Sequence, residues 1–206
     1  MFPPGLLLRA MQSPPFSAVL LAGGKSLRMG RDKAGIEIGG QRLWEHQLAT
    51  LRATGAADIS ISGRLDGPYA ESELEIVTDE TPDLGPLAGI AAALRHARHD
   101  MLLVLAIDLP AMPAGYLRAL VEESTARGCG IVPQGGEWAE PLAAIYPRAC
   151  VPLVEQALLS GDRSMQRFVR EAAERGLIAL RPIEPGERAF FMNVNREEDV
   201  PGAGGE

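Results

Sequence analysis

Two runs of the chain are apolar without a break. Residues 18–22 read Ala-Val-Leu-Leu-Ala, and residues 101–107 read Met-Leu-Leu-Val-Leu-Ala-Ile. A strand with one wet face alternates apolar and polar positions. A strand covered on both faces does not, so these two runs predict strands inside a parallel sheet. Between them the pattern changes period. Residues 43–54 fit a helix stopped by Gly55, residues 58–62 alternate as a strand, and residues 75–78 fit a third strand. Pro86 can open a helix running to residue 98. Pro110 stops the second apolar strand, since proline cannot donate to a ladder. A helix over 114–127 and a strand over 130–133 follow. Beyond this point the pattern loosens. Residues 137–146 read as an extended, hairpin-like segment. Helices fit 149–159 and 164–174, short strands fit 178–182 and 190–192, and a last helical turn starts near Arg196.

The alternation of strand and helix predicts an α/β fold with a mostly parallel central sheet covered by helices on both faces. With 206 residues, of which 46% are hydrophobic, the chain can bury a sizeable core. The expected organisation is one domain over 17–200, divided into halves at 17–135 and 136–200. Residues 1–16 are expected as a loose extension and 201–206 as a frayed tail. The formal charge of −7 gives no general attraction to nucleic acid or an anionic membrane. No run is long enough to span a bilayer, and the expected location is the cytoplasm. Cys129 and Cys150 lack metal-site spacing and read as reduced thiols. His46, His96 and His99 fall on or beside helices and read as surface residues. The basic residues are scattered except for Lys25, Arg28, Arg31 and Lys33, so phosphate binding should be local.

In open α/β sheets ligands sit beyond the carboxyl ends of the strands, and four segments fall at such ends. The first is Leu21-Ala22-Gly23-Gly24 with the cations that follow it. Adjacent glycines let the backbone approach a ligand and present its amides. The segment does not complete a Walker A loop, which would need glycine where Val19 stands, and GxGxxG is absent. The second is Asp108, whose carboxylate could hold magnesium or cap a turn before Pro110; spacing alone does not separate the two. The third runs from Asp79 to Gly89 and contains a proline-opened helix start. Taken alone it reads as an ordinary loop. The fourth is Asn193-Val194-Asn195, which on a strand would aim two amides one way. Taken alone it reads as a polar strand end. Ser62 closes the strand at 58–62.

Together the motifs resemble the molybdenum cofactor guanylyltransferases. They are Leu-Ala-Gly-Gly-x-Ser-x-Arg-Met-Gly-x-Asp-Lys at 21–33, Gly-Pro-Leu-Ala-Gly at 85–89, Ile-Asp-Leu-Pro at 107–110, Glu-Pro-Leu-Ala-Ala-Ile-Tyr at 140–146 and Asn-Val-Asn-x-x-Glu-Asp at 193–199. The resemblance implies a three-layer, Rossmann-like nucleotidyltransferase fold. It also implies GMP transfer from GTP to the phosphate of molybdopterin, giving the guanine dinucleotide cofactor and diphosphate. The implied GTP-binding set is Leu21, Ala22, Gly23, Gly24, Lys33, Ser62, Asp79, Gly85, Pro86, Leu87 and Asp108. Within it, Leu21, Ala22 and Gly23 would offer backbone to guanine and ribose, with Asp79 near the base or ribose. Relatives often carry Asn where Ser62 stands. Arg28 and Lys33 would hold the triphosphate and stabilise the leaving diphosphate. Asp108 would bind Mg2+, with Mn2+ as the alternative ion. Asn193 and Asn195 would lie at the pterin. Implied partners are GTP, molybdopterin, and transiently molybdenum-insertion proteins or molybdoenzyme targets.

Three alternatives fit less of this pattern. The cytidylyltransferase branch usually reads Ala-Ala-Gly where this chain has Ala22-Gly23-Gly24, and Gly-Met-x-x-Ser where it has residues 85–89. Both differences favour guanine. A sugar-phosphate nucleotidyltransferase would not be expected to carry the Asn193 motif. A non-catalytic pterin carrier would not need Lys33 and Asp108.

Overall fold

Strand β1 (Ser17–Leu21) is buried at every position, which accounts for its unbroken apolar sequence. Ala18 and Leu20 point into one core, while Val19 and Leu21 point into the other. Burying a side chain such as Leu20 fully is worth about 1.5–3 kcal/mol. The computed structural model describes residues 14–23, 33–78 and 85–193. In these residues β1 is followed by a small antiparallel pair, β2 (Glu37–Ile38) and β3 (Gln41–Arg42). Helix α1 (Leu43–Arg52), strand β4 (Asp58–Ser62) and strand β5 (Glu75–Val77) come next. Then follow α2 (Pro86–His96), β6 (Met101–Ala106) and α3 (Ala114–Arg127). The last part holds β7 (Gly130–Gly135), β8 (Trp138–Ala139), β9 (Ala143–Pro147), α4 (Val151–Leu159), α5 (Met165–Glu174) and β10 (Ile178–Pro182).

The main sheet has eight strands in the order β10-β7-β9-β6-β1-β4-β5, with β8 paired to β7. Neighbours in the run from β6 to β5 are parallel, as is the β10–β7 pair. The exception on this path is β9, antiparallel to both β6 and β7. Residues 137–146, expected as one hairpin-like segment, therefore divide. Trp138 and Ala139 complete a true hairpin with β7, whereas β9 crosses to the older strand β6. That insertion also carries one sheet through both sides of the expected division at 135/136.

Helices cover both faces. α1 and α3 pack on the core that includes Leu20 and Leu105, and α2, α4 and α5 pack on the core that includes Val19 and Val104. No helix in the described residues is long and apolar enough to cross a membrane.

Three expectations change. Phe16 was assigned to the loose extension. It is buried in the core, and its carbonyl accepts a hydrogen bond from the Ala57 amide at 2.9 Å. Residues 190–192 were expected as a strand. Phe190 and Phe191 instead end a 3-10 helix (Pro185–Phe191). Both rings meet Tyr116 edge-on, at 5.7 and 5.5 Å. Consecutive strand residues would point to opposite faces and could not share that partner. The third change concerns His46 and His99, which are half-buried rather than surface residues.

Candidate active site

The carboxyl ends of four strands lie in register. Val77 pairs with Ser62, Ser62 with Leu21, and Leu21 with Ala106. The chain leaves the sheet along this one line, and the freed backbone groups are tied across it. The Ser62 carbonyl accepts from the amides of both Ala22 and Gly23, each at 2.9 Å. The Gly63 amide donates to Val77 at 3.1 Å, and the Ile107 amide donates to Leu21 at 3.1 Å. A rigid edge is therefore presented to whatever binds beyond it.

Leu21 and Ser62 fall on this line, and Ala22, Gly23 and Asp108 follow directly from its strand ends. Leu21 ends β1. Leu21 and Ala22 are buried, so they offer a ligand backbone rather than side chain, while Gly23 is exposed. Ser62 ends β4 and is buried. Gly85 caps α2 with φ of 79°, a conformation that suits glycine, and Pro86 takes the first helical position. Leu87 sits fully in the core, so its contribution is limited to main chain. Lys33 opens a short 3-10 turn (Lys33–Gly35). Asp108 lies half-buried in the turn two residues past β6. Asn193 is exposed and follows the final 3-10 helix, not a strand. The two-amide strand geometry expected for residues 193–195 is thus lost at its first member. Gly24, Arg28, Asp79 and Asn195 lie outside the described residues.

Several residues that shape the site gave no sequence signal. Gln47 is completely buried on α1. Its Nε2 donates to the carbonyls of Ala106 at 3.0 Å and Leu109 at 2.9 Å, on either side of Asp108. His46 Nε2 donates to the Pro110 carbonyl at 3.0 Å. Tyr69 is buried under the loop after β4, and its hydroxyl accepts from the Arg64 amide at 2.8 Å. A Cβ on Gly63 would collide with that hydroxyl, so glycine keeps the β4 end open for Tyr69. Glu140 belongs to a motif noted above for resemblance alone. It lies just before Leu142, whose carbonyl accepts from the Ala106 amide at 2.7 Å. Burial pushes the Glu140 carboxyl above its ordinary pKa.

A separate groove of about 490 Å3 lies between α5 and the β7–β8–β10 corner, with Trp138, Gln166, Arg170 and Leu180 among its lining residues. It is distinct from the strand-end line.

The family model described as a MobA-like NTP transferase domain matches residues 18–176. The chain belongs to this family. A probable molybdenum cofactor guanylyltransferase from Opitutus terrae is 38% identical over 186 residues, covering 89% of this chain and 92% of the relative. A molybdenum cofactor guanylyltransferase from Pseudomonas syringae pv. tomato is 40% identical over 177 residues, covering 84% and 82%. Among solved structures, molybdopterin-guanine dinucleotide biosynthesis protein A from Archaeoglobus fulgidus superposes with a TM-score of 0.73. It is 27% identical, and the match covers 89% of this chain and 94% of that one.

Proposed function

We propose that this member of the family transfers GMP from GTP to the terminal phosphate of molybdopterin. A phosphate oxygen of the pterin substrate attacks the α-phosphorus of GTP. The bond from that phosphorus to the bridging oxygen breaks, and diphosphate leaves with the electron pair. No covalent enzyme intermediate is needed. Catalysis rests on positioning and on fixed positive charge around the phosphates. The observation that carries the reading is the single line formed by Leu21, Ser62, Val77 and Ala106. The glycine segment and the Asp108 turn continue from two of these strand ends, which supports a shared binding edge.

In this reading the amides beyond β1 and at the α2 start face guanine and ribose, together with Asp79. Arg28 and Lys33 hold the triphosphate, and Asn193 and Asn195 contact the pterin. Asp108 would hold Mg2+, which would supply charge neutralisation to the phosphates. A half-buried carboxylate just past the end of β6 suits that ion. Mg2+ keeps most of its ligands as water and phosphate oxygen and needs only one or two carboxylates. The finished cofactor passes on through transient contact with insertion proteins or molybdoenzymes.

Purified protein with Mg2+, GTP and molybdopterin is expected to release diphosphate, with CTP a poor replacement. A preference for CTP would reassign the base. Asp108→Asn is expected to lower kcat by about 10²-fold or more, the scale of losing one preorganised charge contact. An unchanged rate would remove the metal role.

A further inference from the structure

We infer that Gln47 is a positioning residue, fixing the backbone turn that carries Asp108. The inference rests on the metal role proposed for Asp108. β6 ends at Ala106, and beyond it the ladder no longer satisfies every carbonyl of the turn. The Gln47 amide meets two of them, Ala106 and Leu109, from a single nitrogen. Leu or Met would fill the same space but would take the side-chain donor from both carbonyls, Leu109 still accepting from the Met112 amide at 3.1 Å. Glu would set its carboxylate oxygens against them. The amide cannot be turned over either, because Oε1 would then face two carbonyl oxygens. Held this way, Oε1 is buried without a hydrogen-bond partner among the described residues. The side chain is thus fitted to the turn at the expense of its own satisfaction.

The next residue acts alike, with His46 holding the Pro110 carbonyl. Three carbonyls flanking Asp108 are therefore tied to one turn of α1. The same helix is anchored one turn earlier, where the Leu43 amide donates to the Ile36 carbonyl at 2.7 Å. Ile36 follows directly on the turn opened by Lys33. One rigid helix thus sets the spacing between the Lys33 segment and the Asp108 turn. Groups that orient a metal ligand from behind typically contribute about 10- to 100-fold in metal affinity or activity.

The test is Gln47→Met, which keeps length and loses the donors. Mn2+ binding is measured calorimetrically with GTP present, alongside steady-state rates. The expected result is a Kd for Mn2+ raised about 10- to 100-fold. kcat falls while KM for GTP at saturating metal stays near the parent value, a split that general loosening of the fold would not produce. An unchanged Kd in folded Gln47→Met overturns the inference. Should that variant not fold, His46→Ala on the half-buried side of α1 carries the test. A raised Kd supports the inference and an unchanged one overturns it. Asp108→Asn in the same titration separates the two levels. If it leaves Mn2+ binding intact, both the metal role and the inference fall. If it weakens binding while Gln47→Met does not, the inference falls alone.

Discussion

At position 23 the protein's own packing leaves the residue open. A Cβ there would lie 3.5 Å from Gly63 Cα and 3.6 Å from the Ser62 carbonyl oxygen, which are ordinary contacts. Alanine fits against the described residues, so we assign a requirement for glycine to the ligand. Gly23→Ala is therefore expected to unfold within about 0.5 kcal/mol of the parent, as a neutral surface change does. It should lower kcat/KM for GTP relative to CTP. Steady-state rates with both nucleotides decide it, and an unchanged ratio removes position 23 from base selection. Gly63 is the opposite case, since Tyr69 fills the space a side chain would need. The same spelling in the sequence thus has two physical causes. Gln47 makes the point from the polar side. On a helix, glutamine ordinarily reads as solvent-facing, and only the approach of the β6 turn shows that it is buried.

Most regular elements follow from local pattern. β4, α3 and β10 run as the periodicity predicts. α1 stops at Arg52, short of Gly55. The segment after β10 did not follow its pattern. Its aromatic residues suggest a strand, but tertiary contacts select a 3-10 helix. Glu187 reaches back to the Glu184 amide at 3.0 Å. Arg181 from β10 grips Glu187 at 2.9 Å, lies 3.3 Å from Glu123 of α3, and sits 4.7 Å from the Tyr116 ring centre. Removing the guanidinium takes the cation from Glu187, while Glu123 keeps Arg127 at 2.8 Å. Arg181→Met is expected to lose about 1.5–3 kcal/mol, the range for hydrogen bonds to charged groups. Urea unfolding measures this. A midpoint equal to the parent's would show that the aromatic cluster alone fixes the segment.

Across the whole molecule, burial also shapes the response to pH. It pushes the Cys150 thiol up to about 12 from an ordinary 9.0, and Tyr116 up to about 12 from 10.0. Tyr146, fully buried, is pushed well above its ordinary value. These groups keep their protons in the folded chain to higher pH than in the unfolded one. Stability from them is complete below the unfolded pKa values and is lost as pH rises toward the folded ones. The loss should begin near pH 9 with Cys150 and deepen above pH 10 as the tyrosines join. In Cys150→Ala the first part of the decline should disappear while the tyrosine part remains. Denaturant midpoints between pH 8 and 11 test this, and an onset still at pH 9 would assign it to other groups.

The sequence by itself determined the layered α/β class, the central place of its two unbroken apolar strands, and the segments expected to carry chemistry. Each of these follows from short-range pattern, because a strand buried on both faces must be apolar throughout and strands alternating with helices favour a parallel sheet. Only the tertiary structure decided that Leu21, Ser62, Val77 and Ala106 end on one line. The same is true of β9 running against β6 and of α1 holding the turn of Asp108. Such features depend on which distant groups meet, and hydrogen bonds between residues some sixty positions apart leave no periodic trace in the chain.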